Sequence, residues 1–139
     1  MAKIQGGCLC GAVRYTSNAE PLMTVLCHCT HCQRQSGAAF SVNVAIPKGS
    51  LTFSGEVPAT YEDKGESGLA VHRRFCRKCG SPIVSEVDAT PDLDWLKAGT
   101  LDDSCWVQPA LSVWSSSGQS WVSLPESMPN FAKGPPEAG

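Results

Sequence analysis

The chain has 139 residues, a formal net charge of −2 at pH 7 and an isoelectric point of about 5.9. An acidic balance disfavours nucleic acid as a partner, because general nucleic-acid binders are usually basic. The chain has no apolar stretch near the roughly 18 residues of a membrane span, so we expect no membrane partner. The length predicts a single domain over residues 1–139.

Short strands dominate the predicted elements. A strand at 12–16 follows two cysteines, and an apolar run at 22–27 leads into further cysteines. A short helix is predicted to begin with Thr30 as its cap and to stop at Ser36 and Gly37. Residues 40–46 alternate with period two. Further strands are predicted at 51–53, 59–61, 69–75, 82–87, 95–101 and 110–114, with a frayed tail over 132–139. This pattern predicts a mostly β domain with its cysteines where strands meet turns.

Seven of the eight cysteines lie in three tight clusters: Cys8 and Cys10; Cys27, Cys29 and Cys32; and Cys76 and Cys79. Zinc takes four ligands in a closed structural site and three protein ligands in an open, catalytic one. Seven thiols therefore suggest two zinc ions with different roles.

The first and last clusters together would supply four thiols to a structural zinc. Two residues separated by one position on a strand share a face, so Cys8 and Cys10 can bind the same ion. Cys76 and Cys79 can do so from a tight turn, which Gly80 favours because glycine readily adopts positive φ.

The middle cluster can supply three thiols without a fourth partner. Cys27 and Cys29 would share a strand face, and Cys32 would lie in the first turn of the helix, where the helix dipole favours a thiolate. A disulfide framework and iron–sulfur ligation are the alternatives, and both fit the spacing less well. Reduced cysteines and the lack of a leader predict a cytoplasmic location.

Other side chains have weaker predictions. Basic residues that could offset thiolate charge are Arg34, Arg73, Arg74, Arg77 and Lys78, although such a run is commonly only solvated surface. His28 and His31 are expected near the metal or in solvent, and His72 in packing. Cys105 is expected to be a small buried residue. The tryptophans, predicted to lie in the core or a pocket wall, are Trp95, Trp106, Trp114 and Trp121.

Three segments resemble the glutathione-dependent formaldehyde-activating enzyme (GFA) family, to which centromere protein V also belongs. They are Gly7-Cys8-Leu9-Cys10-Gly11-Ala12-Val13, the run from Cys27 to Gly37, and Phe75-Cys76-Arg77-Lys78-Cys79-Gly80-Ser81-Pro82. The resemblance implies an Mss4-like fold of several small antiparallel sheets. It also implies a structural zinc at Cys8, Cys10, Cys76 and Cys79 and a catalytic zinc at Cys27, Cys29 and Cys32. One departure is Ser112, where many relatives have histidine.

Two functions follow from these observations. The first is a zinc-dependent carbon–sulfur lyase that acts on a small thiol adduct such as S-hydroxymethylglutathione. The second is a non-catalytic zinc module that binds protein or nucleic acid. Three thiolates make zinc electron-rich, which favours binding of a soft thiol over hydrolysis.

Overall fold

The structure is a computed structural model that describes residues 3–134. Its strands are β1 Ile4–Gly7, β2 Val13–Ser17, β3 Met23–Cys27, β4 Ser41–Pro47, β5 Thr52–Gly55, β6 Ala59–Lys64, β7 Ala70–Phe75, β8 Pro82–Val87, β9 Leu93–Lys97 and β10 Leu111–Val113. One α-helix, α1 Thr30–Ser36, and two 3₁₀ turns, Ala98–Thr100 and Ser115–Ser117, complete the elements described. Within the described residues, no helix is both long enough and apolar enough to cross a membrane.

The strands form two sheets. A three-stranded antiparallel sheet has the order β1-β2-β5, and a seven-stranded sheet has the order β10-β3-β4-β9-β8-β7-β6. Neighbours in the large sheet are antiparallel except for β10 and β3, which are parallel. The predicted mostly β fold is confirmed, and the clustered cysteines lie at strand ends and turns.

The apolar core lies between the two sheets. In the large sheet, strand register aligns Val44 with Leu96 and Leu96 with Val84, so these side chains share one face. They belong to one buried cluster with Ile4, Val13 and Tyr15 of the small sheet. Burying each aliphatic side chain stabilises the fold by about 1.5–3 kcal/mol.

The opposite face of the large sheet is polar and buried near its centre. We call Ser41, Asn43, Lys97, Ser85 and Arg73 the polar face. Register places Ser41 beside Cys27, Asn43 beside Lys97, and Ser85 beside Arg73. All five residues are less than 10% exposed. Helix α1 packs against this face, since Arg73 contacts its Cys32 and Gln35. Buried polar groups of this kind require partners or a function.

Two local predictions differ from the structure. The helix is capped by Cys29 rather than Thr30, because the Cys29 sulfur accepts a hydrogen bond from the Cys32 amide. The tail predicted to fray begins with residues that are hydrogen-bonded, since the Trp114 amide donates to the Lys133 carbonyl. The remainder of that predicted tail, 135–139, lies outside the described residues.

Candidate metal centres

Four of the predicted zinc ligands come together at one place. Cys8 and Cys10 lie in the turn after β1, rather than on a strand, and Cys76 and Cys79 lie between β7 and β8. Their sulfur atoms all lie within 4.8 Å of one another. The Cys8 and Cys10 sulfurs are 3.6 Å apart, and those of Cys10 and Cys76 are 3.8 Å apart.

These distances fit a tetrahedral metal ion. Zinc–sulfur bonds of about 2.3 Å place neighbouring sulfurs about 3.8 Å apart, whereas a disulfide would bring them to about 2 Å. All eight cysteines are free thiols. The four-cysteine cluster therefore has the geometry of a closed metal site rather than of a disulfide framework.

Three of the four sulfur atoms of this cluster are hydrogen-bonded to neighbouring groups. The Val13 amide donates to the Cys8 sulfur at 3.2 Å, and the Lys78 amide donates to the Cys76 sulfur at 3.4 Å. The Ser81 hydroxyl, 3.3 Å from the Cys79 sulfur, is the main reason that the pKa of Cys79 falls to about 5. Such outer contacts orient ligands and stabilise their charged form.

The middle cluster brings three thiols together. Cys27 ends β3, Cys29 caps α1, and Cys32 is buried in the first turn of the helix. Their sulfur atoms also lie within 4.8 Å of one another, and within residues 3–134 no fourth cysteine, histidine or carboxylate joins the group. A tetrahedral ion held here would keep one open position.

The three thiols do not ionise equally. Hydrogen bonds from Cys27 and Cys29 lower the pKa of Cys32 far below its usual value. Contacts with Cys29 and Cys32 raise the pKa of Cys27. The cluster therefore favours negative charge at the Cys32 sulfur, which would attract a cation.

A buried lysine at the end of β9, Lys97, interacts electrostatically with the three-cysteine cluster. The Lys97 amine donates to the Asn43 side-chain oxygen at 2.6 Å. Burial lowers the pKa of Lys97, and negative charge at Cys32, Cys27 and Cys29 opposes that shift. The charge of Lys97 also contributes to the lowered pKa of Cys32. The lysine and the three thiols are therefore electrostatically coupled.

Arg73 supplies a second buried cation. Its guanidinium donates to the Asp63 carboxylate at 2.8 Å, and one of its nitrogens lies 3.8 Å from the Cys32 sulfur. His31 in α1 lies 2.7 Å from the same carboxylate. Burial alone would raise the pKa of Asp63, but the hydrogen bonds from His31 and Arg73 lower it. The carboxylate therefore fixes Arg73 while offsetting most of its charge.

With this geometry established, comparisons with known proteins decide the family. A family model described as "Glutathione-dependent formaldehyde-activating enzyme" matches residues 3–117. The chain belongs to this family, GFA.

Three curated fungal proteins are similar to this chain. Proteins of Aspergillus flavus and Aspergillus oryzae, each named "Putative glutathione-dependent formaldehyde-activating enzyme", are 29% identical over 97 residues, which is 66% of this chain and 48% of theirs. A Podospora anserina protein of the same name is 24% identical over 117 residues, covering 79% of this chain and 53% of its own length. The chain thus spans about half the length of the curated relatives it matches.

A solved structure supports the fold. The crystal structure of a Rhodobacter sphaeroides protein matches with a TM-score of 0.57 at 22% identity and covers 76% of this chain and 91% of its own. At this identity the likeness concerns the fold alone.

In this GFA protein, His28 lies between two of the clustered cysteines in the sequence but is not part of their group. It is only 2% exposed, and within the described residues neither ring nitrogen has a hydrogen-bond partner. Its ring packs against Phe40 and lines a cavity of about 450 Å³ together with Glu126, Met128 and Asn130. His28 is therefore neither a fourth thiol-cluster ligand nor a solvent residue.

Ser112, noted in the sequence analysis as a departure from the family resemblance, lies in β10 beside β3. Register pairs it with Leu26, so it lies on the opposite face of the sheet from Cys27. It is completely buried, and its hydroxyl donates to the Asn130 side chain. The serine thus belongs to the surroundings of the His28 cavity.

Of the basic residues predicted to offset thiolate charge, the structure supports one. Of the five predicted residues, only Arg73 has a side chain that contacts a thiol of the three-cysteine cluster. Arg34 and Arg77 are exposed, Lys78 pairs with Glu56, and Arg74 stacks on Phe53. Lys97 was not predicted. The polar positions Ser41 and Asn43, which alternate with apolar ones in the sequence, were the available signal for a buried polar face.

Three further predictions were wrong. Cys105 is exposed rather than buried, because it lies in a surface turn where its amide donates to the Asp103 carboxylate. Trp121 is 74% exposed and Trp106 is 38% exposed, so neither lies in the core. His72 forms ion pairs with Glu62 and Asp88 instead of packing.

Proposed function

We propose that the chain is a zinc-dependent carbon–sulfur lyase that acts on a small thiol adduct of the S-hydroxymethylglutathione kind. The observation that carries this proposal is the three-thiol cluster, which has no fourth ligand among the described residues and has the Arg73 guanidinium 3.8 Å from its Cys32 sulfur. The names of the family and of its relatives support glutathione as the thiol. Reduced thiols in both clusters fit the cytoplasmic location expected from the sequence.

Each cluster would hold one zinc, with different consequences. Cys8, Cys10, Cys76 and Cys79 would fill a closed structural site. Zinc at Cys27, Cys29 and Cys32 would offer one soft Lewis-acid position to a sulfur ligand. Three thiolates give that centre a formal charge of −1, which makes activation of water less favourable than at a three-histidine zinc.

The side chains around the open centre favour sulfur chemistry. Lys97 and Arg73 offset the charge that a fourth sulfur ligand would add. Cys29, fixed as the helix cap, and Cys32, fixed in the first turn, orient the open position. Cleavage of HOCH₂–SR into CH₂O and HSR breaks one carbon–sulfur bond and moves the hydroxyl proton to sulfur. It needs no oxidant or reductant.

The test is exchange between formaldehyde, glutathione and their adduct, measured by NMR exchange spectroscopy with zinc-loaded protein. We expect the protein to accelerate this exchange and Cys29→Ser to lower the acceleration at least tenfold. Exposed Cys105→Ser is the matched control and should retain it. Wild-type protein with two zinc ions that accelerates neither this adduct nor other thiol–aldehyde adducts would contradict the lyase proposal and favour a non-catalytic zinc module.

A further inference from the structure

We propose that Lys97 is the counter-charge of the three-cysteine centre and makes its open position select an anionic fourth ligand over a neutral one. The inference rests on the proposed metal binding by Cys27, Cys29 and Cys32, but it does not require lyase turnover. It assigns a positioning role to a residue that comes from strand β9, outside the cysteine motifs.

The Lys97 amine is buried apart from carboxylates. The residue is only 9% exposed, and a charged amine is strongly disfavoured in the interior unless negative charge lies nearby. Among the described residues, its hydrogen-bond partner is the neutral Asn43 side chain, and no carboxylate lies within 4.0 Å of its nitrogen. The negative charges that act on the Lys97 amine are those of Cys32, Cys27 and Cys29.

Lys97 is held in place by its hydrogen bond to Asn43. The Asn43 amide nitrogen donates to the Ser41 hydroxyl at 2.8 Å and to the Val25 carbonyl at 3.4 Å. These contacts turn the amide oxygen toward Lys97. Ser41 is in turn the register partner of Cys27, so strand pairing places Ser41, Asn43 and Lys97 on the same face of the sheet as that cysteine.

The charges around the three-cysteine centre would be unevenly balanced without Lys97. Most of the Arg73 charge is offset by Asp63, which leaves Lys97 as the buried cation without an acidic partner. A divalent ion with three thiolates carries a formal charge of −1, and Lys97 brings the local sum to zero. A fourth thiolate then produces a local charge of −1 instead of −2, whereas a neutral ligand adds nothing. Removing the charge of Lys97 should therefore weaken the binding of anionic ligands more than the binding of neutral ones.

The experiment uses the whole chain loaded with Co²⁺, whose visible absorption bands report changes in its ligands. The protein is titrated with 2-mercaptoethanol, which binds as a thiolate, and separately with imidazole, which binds as a neutral ligand. Lys97→Met removes the charge while keeping the side-chain length. Asn43→Asp places a carboxylate against the amine without a change in volume. Lys3→Met repeats the first change at an exposed lysine paired with Glu20.

We expect Lys97→Met and Asn43→Asp each to lower the affinity for 2-mercaptoethanol about tenfold, while the affinity for imidazole changes less than twofold. Lys3→Met should change neither. The inference would be overturned if both variants bound the two probes equally more weakly, or if their affinity for the thiol did not change. Loss of metal from both variants would also overturn it. Selective thiol binding without turnover of any adduct would reject only the lyase proposal.

Discussion

At the scale of single residues, Cys29 performs two tasks with one sulfur atom. It belongs to the three-thiol cluster, and it caps α1 by accepting the Cys32 amide proton at 3.2 Å. The cap fixes the direction of the helix, and the helix places Cys32 against Cys27. Metal-ligand spacing and helix capping therefore reinforce each other in this segment.

The two tasks can be separated by substitution. Serine at position 29 keeps an oxygen that can cap the helix, whereas alanine keeps neither the cap nor the ligand. We expect Cys29→Ser and Cys29→Ala each to lower the zinc content from two ions to one per chain. The free energy of unfolding of Cys29→Ala should be lower than that of Cys29→Ser by about 1 kcal/mol. Equal stabilities in denaturant titrations would show that the cap contributes nothing.

At the scale of elements, the outer strands of the large sheet are joined by ionised side chains. His72 on β7 lies 2.5 Å from Glu62 on β6, and its other nitrogen lies 3.1 Å from Asp88, just after β8. The Asp88 and Glu62 contacts raise the pKa of His72 above its ordinary value of 6.5. These groups are partly exposed, so the pair stabilises the edge by less than about 1 kcal/mol.

This pairing predicts a pH dependence of stability. Because the folded pKa of His72 is raised, its stabilisation is fully present below pH 6.5 and is lost as pH rises through the folded value. We expect His72→Gln to lower the free energy of unfolding at pH 6 and to have a smaller effect at pH 9. Denaturant titrations of both proteins across this range measure the difference. An equal effect at both pH values would show that charge at His72 does not stabilise the edge.

Sequence patterns predicted most strands, because alternation is local, and the number and spacing of the cysteines predicted both groups of thiols. They missed β1, which contains Gly6 and Gly7 and has little strand propensity. The structure requires glycine at position 6, because a Cβ atom there would lie 2.2 Å from the Thr100 carbonyl oxygen. They also missed the pairing of Lys97 with Asn43, two residues 54 positions apart that only strand register brings together.

At the scale of the whole molecule, the two clusters differ in what they join. The four-cysteine cluster connects the turn after β1 in the small sheet with the turn between β7 and β8 in the large one. Metal there would restrain the unfolded chain across a long loop. The three-cysteine cluster joins β3 to the adjacent α1, a short local connection. The first therefore suits a structural role, and a metal held by the second would be able to exchange a ligand without loss of the fold.

The most direct measurement of this account is the number of sulfur ligands per zinc, obtained by zinc K-edge X-ray absorption of protein that holds two ions. Seven cysteine sulfurs shared by two ions give an average of about 3.5 per zinc. On addition of millimolar glutathione, we expect the average to rise to about four as the thiol fills the open position. An average that stays near 3.5, or that is already four without added thiol, would contradict an open centre that binds thiols.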